Sequence, residues 1–104
     1  MGNQQTGETK LRRSKLETYI DILNVLARKG PLKLTHVMYK ANLNSNVVKE
    51  NLVFLIKQHL VEERTIARSQ VVFTVTQRGI TVLNYFRELT QVLPIIETKN
   101  RTLA

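Results

Sequence analysis

Ser45, Asn46 and Lys49 stand at the start of a run in which Val48, Leu52, Leu55 and Ile56 recur at helical spacing, which puts the three polar residues on the outer side of a helix. These side-chain types can read or hold a nucleic acid. An Asn amide bonds an adenine edge bidentately, a Lys reaches guanine acceptors or phosphate, a Ser hydroxyl bonds either, and a helix N-terminus favours a phosphate. Glu50 on the same side argues against an indiscriminate phosphate grip. On an isolated helix the same residues would be an ordinary solvated face, so their meaning depends on the elements around them.

Three further groups could touch a phosphate backbone. Lys33, Thr35, His36 and Lys40 lie on the preceding amphipathic segment, and the first helix of a helix-turn-helix crosses the backbone. Arg68 and Ser69 occupy a hairpin tip, with Arg64 on the strand before it; a wing Arg can reach a phosphate or an adjacent minor groove. Arg12 and Arg13 belong to a basic cluster with Lys10 and Lys15, a type of arm that can follow phosphates. Glu62 and Glu63 keep the base of the strand away from a polyanion.

Catalytic and metal chemistry find no comparable support. The two histidines, His36 and His59, are 23 residues apart and form no His-x-x-x-His pair, and there is no cysteine. The four glycines build no phosphate loop, and Glu17 and Asp21, one turn apart, suit pairing with cations better than acid–base work. The expectation is a protein that is not an enzyme, with no cofactor and no small-molecule ligand.

The elements that position these residues follow from periodicity and caps. Residues 1–13 read as a flexible basic arm. A Ser14-x-x-Glu17 capping box opens a first helix, Lys15 to Arg28, with Leu16, Tyr19, Ile20, Leu23, Leu26 and Ala27 inward; Gly30-Pro31 stops it. Leu34, Val37, Met38 and Ala41 mark a short second helix from Lys33 to Ala41. After the turn Asn42-Leu43-Asn44, with Asn44 or Ser45 as cap, the third helix runs to about Gln58, its apolar face widened by Val53 and Phe54. Val61 to Ile66 and Val71 to Thr76 are β-branched strands around the tip Ala67 to Gln70, whose lack of glycine leaves the turn type open. Thr76 caps a fourth helix that must stop or kink near Val92 or Leu93, because Pro94 removes a backbone donor.

The predicted fold is mainly α with a small β-hairpin: a winged helix-turn-helix of three helices and a two-stranded wing over residues 14–76, a C-terminal helix over 77–98 and a tail over 99–104. Val82, Phe86, Leu89 and Leu93 recur at four and three residues, a seam expected to form a homodimer, although it could instead pack on the first helix. Ile80, Leu83 and Tyr85 offer a second stripe.

A chain of 104 residues with 42% hydrophobic and 23% charged residues can bury one core, so one domain is expected. Sixteen Lys and Arg against eight Asp and Glu give a net charge of +8, which a polyanionic partner would relieve. No apolar stretch approaches the roughly 20 residues that span a bilayer, and the first ten lack a signal-peptide centre, so a soluble, cytoplasmic and nucleoid-associated protein without membrane contact is expected. Met1-Gly2-Asn3-Gln4-Gln5-Thr6 fits an N-myristoylation pattern too short to carry an assignment, and Asn100-Arg101-Thr102 fits a glycosylation acceptor that is expected to be chance where no secretion signal is read.

Three stretches carry a family resemblance: Leu16-Glu17-Thr18-Tyr19-Ile20-Asp21-Ile22-Leu23, His36-Val37-Met38-Tyr39-Lys40-Ala41-Asn42-Leu43, and Phe73-Thr74-Val75-Thr76-Gln77-Arg78-Gly79 with Leu83. They resemble small archaeal winged-helix proteins that bind DNA as dimers, some of them abundant chromatin proteins. The resemblance implies double-stranded DNA as partner, bound with tolerance or moderate specificity, a third helix in the major groove, and dimerisation through the C-terminal helix. Two departures stand out: His59 replaces a glycine common after the third helix, and Pro94 shortens the last helix. The functional expectation is duplex DNA binding, as an architectural chromatin protein or a transcriptional regulator. The alternative is a winged-helix protein-interaction module without direct DNA contact.

Overall fold

The computed structural model describes residues 13–93. Its elements follow in the predicted order: α1 (Lys15–Lys29), α2 (Leu34–Ala41), α3 (Ser45–Lys57), β1 (Val61–Ile66), β2 (Gln70–Val75) and α4 (Gln77–Val92). This is a winged helix-turn-helix, mainly helical, with a hairpin wing and a C-terminal helix.

At the start of α1 the Ser14 hydroxyl accepts from the Glu17 amide at 3.1 Å, and the Glu17 carboxylate accepts from the Ser14 amide at 2.8 Å, completing the capping box. Gly30 ends the helix at φ 83°, where a Cβ would be strained. The buried face is wider than the predicted stripe. Ile22 and Val25 join Ile20, Leu23 and Leu26 in the core, while Leu16 and Ala27 are exposed. The reason is that α2, α3, α4 and β2 all pack against α1, so the helix has no single dry stripe.

Asn42 ends α2 in the left-handed conformation (φ 57°, ψ 54°), and Leu43 N donates back to Met38 O at 3.0 Å. Asn44 then caps α3, its Oδ1 accepting from Val47 N at 2.9 Å. Val48, Leu52 and Leu55 are buried beneath α3. Of the two residues expected to widen this face, Phe54 stacks on Tyr19 at 4.7 Å between ring centroids, but Val53 is 61% exposed.

His59 takes φ 62°, the left-handed turn where the family resemblance places glycine. The wing strands pair antiparallel from Val61↔Val75 to Ile66↔Gln70. Arg68 and Ser69 at the tip are both left-handed, at φ 60° and 64°, which makes a primed-type turn without glycine. Leu32 adds a bridge to Phe73, with paired backbone bonds of 2.8 and 3.0 Å, so the chain before α2 extends the wing.

Thr76 joins α3 to α4: its hydroxyl donates to His59 O at 2.7 Å and accepts from Gly79 N at 3.0 Å. Arg78 Nε donates to Gln58 O at 3.0 Å beside it. Leu83 is buried, and Val82 and Phe86 pack against the core. Beyond Phe86 every described residue of α4 is exposed, Leu89 and Leu93 included. The expected seam is therefore divided: its first half closes the monomer and its second half has no cover among the described residues. The helix ends at Val92, as the following Pro94 requires; Pro94 itself and the predicted stretch to residue 98 lie outside the described residues.

Arg13 departs from its predicted place in a flexible arm. Its guanidinium donates to Asp21 Oδ2 at 2.8 Å, to Ala41 O at 2.9 Å and to Asn42 O at 2.6 Å. It clamps the end of α2 to α1, because the last carbonyls of a helix lack intrahelical donors and attract a cation.

Two outcomes are expected. A Cβ at Gly79 would collide with Leu60 O and stand 2.6 Å from Val75 Cγ2. Gly79→Ala should thus cost about 1–3 kcal/mol of stability in urea unfolding. Arg13→Ala should cost about 1–3 kcal/mol in the same assay, and Asp21→Asn less, since the two carbonyl bonds survive the second change.

Candidate nucleic-acid interface

The buried residues of α3 rotate Ser45, Asn46, Lys49 and Glu50 outward, and all four are exposed. Asn44 satisfies one amide of the first turn, leaving others to point outward as donors. Val53 continues this face one turn on; an exposed apolar side chain there can contact a thymine methyl. From the sequence Val53 fits both the apolar face and the outer side beyond Asn46 and Lys49; its exposure places it on the outer side.

On α2 the buried Val37 and Ala41 turn Thr35, His36 and Lys40 to solvent, with Lys33 just before the helix. Tyr39, 75% exposed, shares this outer surface and was passed over in the sequence. Its ring and hydroxyl can pack on a sugar or bond a phosphate.

The wing presents Arg68 and Ser69 at its tip, both exposed. Arg64 is also exposed, but its Nε and Nη2 donate to Glu62 Oε1 at 3.3 and 3.1 Å. Such an exposed pair is held weakly, so a phosphate can displace it. Arg13 clamps the protein's own backbone and has few donors left, and Arg12 lies outside the described residues. The ion pairs among the described residues are Arg13–Asp21 and Arg64–Glu62. Lys33, Lys40, Lys49 and Arg68 take part in neither, so no ion pair among the described residues compensates their charge.

Among the described residues no group of His, Asp and Glu is placed to hold a metal ion. No helix there is long and apolar enough to cross a membrane. The arrangement offers a helix whose first turns project hydrogen-bond donors and acceptors, followed by a hairpin with a basic tip. Such a module can insert a helix in a groove and lay a ribbon on the backbone.

Comparison with known proteins agrees with this architecture. A search of curated proteins finds no match. Among solved structures, BpsR of Bordetella bronchiseptica, whose DNA binding is regulated by 6-hydroxynicotinic acid, is similar with a TM-score of 0.65 and 18% identity over 82% of this chain and 58% of that one. A MarR family transcriptional regulator from Silicibacter pomeroyi gives 0.65 and 16% over 71% and 51%. The Zalpha domain of zebrafish PKZ gives 0.59 and 17% over 62% of this chain and 100% of that one. The chain thus spans little more than half the length of the two regulators, and at these identities the likeness is one of fold. The winged helix-turn-helix family model matches residues 12–93, and the chain belongs to that family.

Proposed function

We propose that the chain binds duplex DNA as a homodimer, with the first turns of α3 in the major groove and the wing tip on the flanking backbone. The observation that carries this reading is the exposed face Ser45, Asn46 and Lys49 at the capped start of α3, whose lysine is in no ion pair among the described residues. Lys33, Thr35 and His36 on α2 would approach the phosphates beside the groove. Few side chains on this face can read bases, which favours a sequence-tolerant architectural role, like that of the archaeal chromatin proteins the sequence resembles, over an operator-specific regulator.

The second copy would cover the exposed apolar end of α4, where Tyr85, Leu89 and Val92 are 64%, 45% and 75% exposed, with Leu93 beside them. Phe86 would support this interface only from the core side.

Titration of unrelated duplexes at several salt concentrations tests the DNA reading. Affinity should fall with a log–log slope of about −0.9 per contacted phosphate. Arg68→Ala should weaken all duplexes alike and reduce that slope by about one, whereas Asn46→Ala with Lys49→Ala should cost about 1–3 kcal/mol on any preferred sequence. A response flat in salt would instead mark a protein-interaction module. For the dimer, Leu89→Glu with Val92→Glu should give a folded monomer by light scattering, and an unchanged mass would remove this face from the interface.

A further inference from the structure

A cavity of about 380 Å³ opens between α1, the end of α2 and α4, on residues that the DNA reading leaves almost unused. Its volume is at the small end of the ~300–1,000 Å³ typical of ligand sites. Val25 and Ala41, both nearly buried, contribute its apolar lining. Around them stand four cations, Arg13, Arg28, Lys40 and Arg87, and a single carboxylate, Asp21.

The carboxylate is already taken by Arg13 at 2.8 Å. Arg28, Lys40 and Arg87 are therefore left without an acidic partner among the described residues. Arg87 is oriented by neutral groups only: its Nη1 donates to Asn84 Oδ1 and its Nη2 to Asn24 Oδ1, each at 3.2 Å. With its oxygen so engaged, Asn24 can turn its amide donors toward the cavity. Three like charges around one concavity repel each other, and an anion with several oxygens would relieve that repulsion while accepting from the guanidinium forks.

We propose that this cleft binds a small phosphorylated anion, held by Arg28, Lys40 and Arg87 with Asn24. A free small molecule suits the site better than a DNA phosphate, because Ser45, Asn46, Lys49 and Arg68 are all absent from its lining. Lys40, a DNA candidate in the sequence, is here assigned to the cleft. The inference stands whether or not α3 binds DNA.

The test is a titration of the full chain with inorganic pyrophosphate at low ionic strength, followed by NMR at the Asn24 and Ala41 amides and the Arg87 side chain. Saturating shifts at these groups are expected. Arg28→Gln removes an exposed side chain with no hydrogen bond among the described residues, so the fold should persist, and a thermal melt checks it. It should weaken pyrophosphate at least about tenfold, the loss of one charge-assisted contact. Lys49→Ala should leave pyrophosphate binding unchanged. Shifts that do not saturate, or that are equal in Arg28→Gln and the parent, would overturn the proposal. So would an Arg28→Gln protein that loses duplex affinity and about one unit of salt slope while the parent ignores pyrophosphate, since the cleft would then hold DNA backbone.

Discussion

The burial of α1 is the constraint on which the rest of the molecule depends. Ile22 and Leu26 are completely enclosed and Leu23 almost so. Each such side chain contributes roughly 1.5–3 kcal/mol only if all its faces are covered. No single neighbour can do that. α2, α3, α4 and β2 must close on α1 together, and the angle between α2 and α3 is one result of that closure. The outward residues of α3 therefore take their direction from the core, which leaves their identities free to be set by a ligand.

Polar contacts then fix what apolar packing leaves loose. α2 has eight residues, too few to be stable alone, and Lys33 supplies no side-chain cap at its start. Its far end is held instead by the left-handed Asn42, the Leu43 return to Met38 and the Arg13 guanidinium. At the other side of α3, Thr76 and Arg78 bond the carbonyls of His59 and Gln58, so the left-handed His59 is secured from α4. Both ends of α3 are thus tied to other elements, which keeps the helix in a fixed pose.

What was legible in the sequence is what depends on near neighbours. The caps at Ser14, Asn44 and Thr76 involve residues three apart, and the inward phases of α2 and α3 repeat within two turns, so element order and the outward face of α3 could be read directly. The bridge of Leu32 to Phe73 and the reach of Arg13 to Ala41 join distant residues and leave no local trace. Ile22 and Val25 looked wet because a one-stripe pattern assumes one covered face. The heptad in α4 was ambiguous for a different reason: spacing says that a face is apolar and not which chain covers it. Tyr39 and Val53 follow the outward phase of their helices, but their apolar and aromatic types carry no sign of which ligand they face.

The same distinction governs the charges. A net +8 describes a total, whereas the fold separates cations held by the protein from those left to a partner. Arg13 is held; among the described residues nothing holds Lys49 or Arg68. Arg28, Lys40 and Arg87 form a second basic surface at the opposite end of α2 from Lys33. A helix of eight residues is about 12 Å long, beyond the ~8 Å Debye length at physiological salt. The field of the cleft therefore reaches Lys33 only weakly. An anion in the cleft has a mechanical route to the face of α3 through Arg13, which touches the cleft and the carbonyls of Ala41 and Asn42 at once. Those carbonyls belong to the turn that sets the start of α3, so a shift of the clamp would move the outward residues of α3.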